Sequence, residues 1–178
     1  MDVSTVKKWE ATGFFFIISV GTLLHFCFEW SGGNALIAPF CAVNESVWEH
    51  LKLAFWPGLF FAMIEYLFWG SESANFLTAK ALSLYAAPIA IIVLFYSYTA
   101  ILGTHMPVID ILVFVISVLL GQCISFLIIV SEKDYSRFNK TALLLLAIEA
   151  MAFIHFTYNP PEHALFIDPR TGESGIPE

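Results

Sequence analysis

Residues Trp9–Trp30 read WEATGFFFIISVGTLLHFCFEW. From Trp9 to Phe28 about 20 residues are mostly apolar, enough to cross a bilayer as a helix. Lys7 and Lys8 precede the run, as in a signal peptide. The run is too long for a typical signal h-region, and no A-x-A site follows it. It reads as an uncleaved first transmembrane helix.

Four further apolar segments follow at Val47–Trp69, Leu77–Leu102, Pro107–Val130 and Thr141–Tyr158. Each is close to the ~20 residues that cover ~30 Å of hydrocarbon at ~1.5 Å per residue. With no water to satisfy backbone groups, each is expected to be helical. Pro57 and Pro88 fall inside helices two and three and are expected to kink them. No internal repeat is visible. Five segments do not divide into inverted halves, which weighs against a secondary transporter built from one chain.

Composition agrees. Of 178 residues, 58% are hydrophobic and 13% charged, against roughly 25% charged in soluble domains. Mean hydropathy is +0.77. No soluble core of this size buries so much apolar surface, so the bilayer is the solvent for most of it. The expected fold is an all-α integral membrane protein. Residues 1–158 form a five-helix transmembrane domain, and 159–178 form a Pro-rich acidic tail. The net charge of −7 argues against nucleic acid and against adhesion to anionic lipid. Cys27, Cys41 and Cys123 show no CxxC or CxxCH spacing, so redox and haem-attachment motifs are absent. Cys27 and Cys41 fall on one predicted side and can pair, although cysteines in apolar surroundings are more often inert.

Basic residues set the orientation. Lys7, Lys8, Lys80, Lys133, Arg137 and Lys140 fall on one side of the predicted helices, and Lys52 and Arg170 on the other. The expected topology is N-in and C-out, which makes the tail extracytoplasmic. All five histidines (His25, His50, His105, His155 and His163) then lie at or near the outer face, joined by Tyr96 and Tyr98.

The most polar run between the first two segments is Asn44-Glu45-Ser46-Val47-Trp48-Glu49-His50-Leu51-Lys52. Asn44 is read as the N-cap of helix two, with Glu45 in its first turn. Glu45 and Glu49 would then share a face. His25 and Glu29, four residues apart, end helix one just before. Imidazole and carboxylate are ligand types for zinc, iron and manganese. The expected divalent-metal ligands are His25, Glu29, Glu49 and His50, with Glu45 and Glu49 as acid–base groups. Asn44, Tyr98, His155 and Tyr158 are further candidates for the same pocket. The spacing matches no HExxH-type signature. A metal-free acid–base pocket remains an alternative. So does a structural reading in which Glu49 is hydrated or paired with Lys52.

Glu65 and Glu149 lie deeper. Glu65 is a candidate step on a proton or cation path from the outer cluster. Glu149 is read as protonated or hydrogen-bonded, for example to Gln122. In the tail, Pro160 and Pro161 stop helix five, and Asp168–Gly172 reads as a turn. Leu165, Phe166 and Ile167 can dock the tail back on the outer surface; a disordered tail is the equal alternative.

His25-x3-Glu29-Trp30-Ser31-Gly32, the run Asn44–Lys52 and Asp168-Pro169-x-Thr171-Gly172 together resemble a family of small multi-pass membrane proteins of Gram-positive bacteria. That family is catalogued only as a domain of unknown function. The resemblance covers nearly the whole chain, and Asn44–Lys52 is its most specific part. It implies a bacterial cytoplasmic-membrane location and no activity. Membrane hydrolases of the alkaline ceramidase and progestin-receptor type also hold zinc with His and Asp near one membrane face, but this chain lacks their seven-helix pattern.

The residues thus point to an outward-facing His/Glu pocket in a membrane protein. The leading expectation is a metal-dependent hydrolase or group-transfer enzyme on an outer-leaflet lipid-type substrate, with zinc the type of ion expected. The competing classes are a cation or proton transporter using the same cluster plus Glu65, with a homo-oligomer supplying the path, and a non-catalytic accessory subunit. Membrane lipid is the expected partner.

Overall fold

The computed structural model describes residues 2–177. Among them, five helices are long and apolar enough to cross a membrane, and no named strand is present. They are α1 (Val3–Trp30), α2 (Val47–Phe68), α3 (Phe76–Leu102), α4 (Pro107–Ile129) and α5 (Asn139–Tyr158). Three short 3-10 turns lie at Gly70–Glu72, Ser136–Phe138 and Ala164–Phe166. Helix α1 starts six residues before Trp9, because the Asp2 carbonyl accepts from Thr5 and Val6 and opens the helix there. Pro57 and Pro88 both lie inside their helices.

The helices alternate in direction, giving the bundle two ends. One carries the α1–α2 and α3–α4 connections and the tail, and is called here the tail end. The other carries the N-terminus with the α2–α3 and α4–α5 connections. The core joins Ile17, Leu51, Phe55, Leu84, Val118, Leu146 and Phe153 from all five helices. The outward faces are apolar as well, with Phe15, Leu67, Ile101 and Ile111 largely exposed. A helix apolar all round belongs in lipid or in a core, and five such helices fit a multi-pass membrane protein.

The inner stripe of α1 is Val6, Glu10, Gly13, Ile17 and Gly21, at the three-and-four spacing that keeps one helix face inward. Its glycines set the packing distance. A Cβ at Gly21 would lie 2.5 Å from the Leu53 carbonyl oxygen of α2, and one at Gly13 would lie 2.5 Å from Gln122 Nε2 of α4. Small residues let helices approach closely where hydrophobic exclusion does not drive association.

The connection 31–46 packs on the helix ends. Three of its carbonyls are taken by donors below: Ala35 by the Tyr158 hydroxyl, Ala38 by Lys52 Nζ and Pro39 by Trp56 Nε1. The tail packs back on the bundle. Phe166 is buried against Trp48 and Phe156, and Ile167 and Ser174 form an isolated antiparallel bridge.

Candidate metal centre

Helix α2 begins at Val47, and its N-cap is Ser46, whose hydroxyl accepts from the Glu49 amide at 3.4 Å. The cap therefore falls two residues later than the one expected at Asn44. Asn44 instead makes a local turn, its Oδ1 accepting from the Ser46 amide at 2.8 Å, and its Nδ2 donates to the Gly175 carbonyl at 2.8 Å. The shift separates the two acids. Glu49 sits in the first helical turn and faces inward; Glu45 precedes the helix and is free to turn toward α1.

Glu45 meets two histidines. His25 Nε2 and His50 Nε2 are 3.3 Å apart. Glu45 Oε2 lies 3.5 Å from His50 Nε2 and 3.7 Å from His25 Nε2. All three residues are half-buried and can present one ligand atom each to a single ion. Four ligands at about 2.0–2.2 Å around tetrahedral zinc are separated by about 3.3–3.6 Å. The three observed separations fall on or close to that range.

The surroundings orient His50 and Glu45, whereas His25 Nδ1 is buried with no hydrogen-bond partner among the described residues. His50 Nδ1 lies 2.8 Å from the Ser46 carbonyl. A carbonyl only accepts, so Nδ1 carries the proton and the Nε2 lone pair faces the trio, the usual outer-shell device of a ligating histidine. Glu45 is held by the tail. Its second oxygen pairs with Arg170, and its amide donates to Asp168 Oδ2 at 2.9 Å. Asp168 in turn accepts the Arg170 amide at 2.7 Å, and its carbonyl accepts the Gly172 amide at 2.8 Å. The Asp168–Gly172 turn is thus the bracket that fixes Glu45.

A cavity of about 480 Å³ opens beside the trio. Its walls come from the end of α1 (His25, Phe26, Glu29), from Ala42–Glu45 and from the tail (Asp168, Arg170, Glu173). Acids outnumber bases on this lining, which favours a cation.

The other predicted site residues lie as follows. Glu29 lines the cavity outside the trio, as does Asn44. Glu49 points away: its Oε2 lies 2.5 Å from Lys52 Nζ and accepts the Val43 amide at 2.9 Å. Lys52 also donates to Thr157 Oγ1 at 3.0 Å, so this pair ties α2, α5 and the connection together. Tyr98 bonds Asp110 in the α3–α4 corner. His155 is exposed and packs on Phe156, and Tyr158 holds the Ala35 carbonyl; neither lines the cavity. Glu65 is at the opposite end of the bundle, paired with Lys80. Gln122 donates to the Glu10 carbonyl at 3.0 Å rather than to Glu149. Cys27 and Cys41 are free thiols. The roles of Arg170 and Asp168 go unassigned from sequence, although the motif that contains them is visible there.

No curated protein matches the chain, and neither does any solved structure. Residues 1–176 match the model of the Family of unknown function (DUF6512), and the chain belongs to that family.

Proposed function

We propose that His25, His50 and Glu45 bind one divalent transition ion of the zinc class. The site then serves metal-assisted hydrolysis or group transfer on a lipid-type substrate entering from the outer leaflet. The observation that carries the reading is the convergence of two imidazole nitrogens and one carboxylate oxygen at tetrahedral spacing beside an open cavity. Two histidines and a glutamate are a known catalytic zinc set, with the fourth position left to water. Such an ion lowers the pKa of its water toward ~7 and polarises the substrate oxygen.

The chain's own residues complete the arrangement. Glu29 lines the cavity beside His25 and can take the proton of the attacking water. Arg170, exposed at the cavity and paired with Glu45, offers a guanidinium to an anionic head group or a developing oxyanion. The positive-inside count supports N-in and C-out in a bacterial cytoplasmic membrane, which turns this cavity outward.

Mass-spectrometric metal analysis of detergent-purified protein tests the reading. About one transition ion per chain is expected, lost in His50→Ala and in Glu45→Gln. No bound ion after metal supplementation, or full retention in both variants, removes the mechanism and leaves the trio as a structural hydrogen-bonding group.

A further inference from the structure

A second ionic cluster lies at the N-terminal end of the bundle. Lys80 Nζ is 2.8 Å from Glu10 Oε1 and 2.5 Å from Glu65 Oε2. Ser125 Oγ donates to the same Glu10 oxygen at 2.7 Å. The charged groups meeting here are Glu10 from α1, Glu65 from α2 and Lys80 from α3. Helix α4 contributes only the neutral Ser125 and Gln122. Glu10, Glu65 and Lys80 are 4%, 0% and 4% exposed.

Two carboxylates against one ammonium leave an excess negative charge in a dry interior, where unbalanced charge is strongly disfavoured. The hydrogen bonding is short as well. Glu10 Oε2 and both Glu65 oxygens are buried with no hydrogen-bond partner among the described residues, although Glu65 Oε2 is ion-paired with Lys80. One proton on either carboxylate corrects the charge and supplies a donor.

A cavity of about 210 Å³ lies on the outer side of the cluster, with Glu72 and Ser73 in its wall and the cluster's own charged groups behind it. Val6, Trp69 and Ile129 also line it. Each of these residues lies one helical turn from a cluster member: Val6 from Glu10, Trp69 from Glu65 and Ile129 from Ser125. Phe76 stands in the same relation to Lys80 and packs with Val6 and Trp69 as an apolar layer. Trp69 is 6% exposed, and its indole Nε1 has no partner among the described residues. An ionic layer is therefore stacked one turn inside an apolar layer, with a cavity on the outer side whose wall includes Trp69.

We propose that Glu10 and Glu65 form a proton-binding site that holds one exchangeable proton beside Lys80 and loads from the N-terminal end through the Trp69 cavity. Loading converts one carboxylate to a carboxylic acid with solvent as the proton source, and no other bond changes. The site is independent of the metal centre at the tail end.

Infrared spectroscopy of lipid-reconstituted protein separates carboxylic acid from carboxylate by the C=O stretch. Glu49, Asp168 and Glu149 are buried as well. Glu49 is ion-paired with Lys52 and Asp168 accepts two backbone amides, whereas Glu149 Oε2 has no partner among the described residues, so the measurement is made in a Glu149→Gln background. A carboxylic-acid band is expected at neutral pH and is expected to fall as pH rises. Glu10→Gln and Glu65→Gln should each abolish the whole band, because the remaining acid then pairs one-to-one with Lys80 and stays ionised. An unrelated protonated acid would survive in both variants. Trp69→Ala, which opens the apolar layer, should speed the band's shift on transfer to D2O. Absence of the band in the Glu149→Gln protein overturns the proposal, and that spectrum decides even if a variant fails to fold. Survival of the band in either glutamine variant overturns it too, and an unchanged exchange rate in Trp69→Ala removes the loading route.

Discussion

Glu45 and Glu49 show how little separates a site residue from a structural one. Both belong to one short polar run, and from sequence both are candidates for the same chemistry. The helix start decides between their positions: one residue precedes Val47 and turns to the histidines, the other enters the first turn and meets Lys52. Removing one partner of a buried ion pair leaves the other uncompensated. Glu49→Gln should therefore lower stability by about 3 kcal/mol while the folded fraction keeps the metal binding proposed for His25, Glu45 and His50. Thermal unfolding and metal content measured on the same sample check both halves. Cys41 gives a pH prediction. Burial, then its hydrogen bond to Cys27, pushes its thiol from the ordinary 9.0 up to about 12. Above pH 9 the unfolded chain loses this proton while the folded chain keeps it, so stability should fall as pH rises from 9 toward 12. Cys41→Ser should flatten that part of the stability–pH curve. Alkylation of Cys41 in the folded protein should stay slow until the thiolate forms near the top of this window.

At the scale of the element, α1 carries the consequence. Its inner stripe holds Glu10 near one end and leads to His25 near the other, and Gly21 between them sits against the Leu53 carbonyl. His25 is one turn beyond Gly21, and His50 is one turn before Leu53 on α2. Any side chain at Gly21 must push the two helices apart at the point that sets the His25–His50 distance. Gly21→Leu should cost about 1–3 kcal/mol from overpacking and should also weaken metal binding, although no ligand is altered. Leu23→Ala, on the exposed face of the same helix, should leave metal content unchanged. Equal metal affinity in Gly21→Leu and the parent would falsify the coupling. The spans of the helices are legible in the sequence to within a few residues, except where Asp2 starts α1 early. The stripe is harder to read. With apolar residues on both the lipid face and the core face, hydrophobicity marks no direction, and only the glycines and Glu10 distinguish the inner side.

For the whole molecule, the tail and the bundle make one unit. The Asp168–Gly172 turn reaches back to Glu45, and Gly175 accepts from Asn44. A chain ending after Asn159 should keep its helical content, since the main core cluster is built from the five helices and the tail adds only Phe166 at its edge. It should bind metal about 10- to 100-fold more weakly, the usual loss when outer-shell support is removed. Arg170→Gln should reproduce part of that loss. Circular dichroism and metal titration separate the two effects, and undiminished affinity after truncation would show that Glu45 needs no bracket.

The amino-acid sequence alone determined the number of helices and their spans, because an apolar run of membrane length in a bilayer has few alternatives to a helix. It also placed His25, Glu29, Glu45, Glu49 and His50 in one region, with Glu29 and Glu49 rather than Glu45 as the expected carboxylate ligands, since a short connection forces the end of α1 next to the start of α2. Tertiary structure decided the rest. Glu10, Lys80 and Glu65 stand far apart in the chain on three helices, and no periodicity reveals that they meet. Lys80 reads from sequence as one more positive charge in a connection, yet it is buried between two acids. Arg170 belongs to a turn whose partner lies more than a hundred residues earlier. Contacts between elements depend on rotation and packing distance, set here by glycines and buried charges, and local sequence carries no direct record of either.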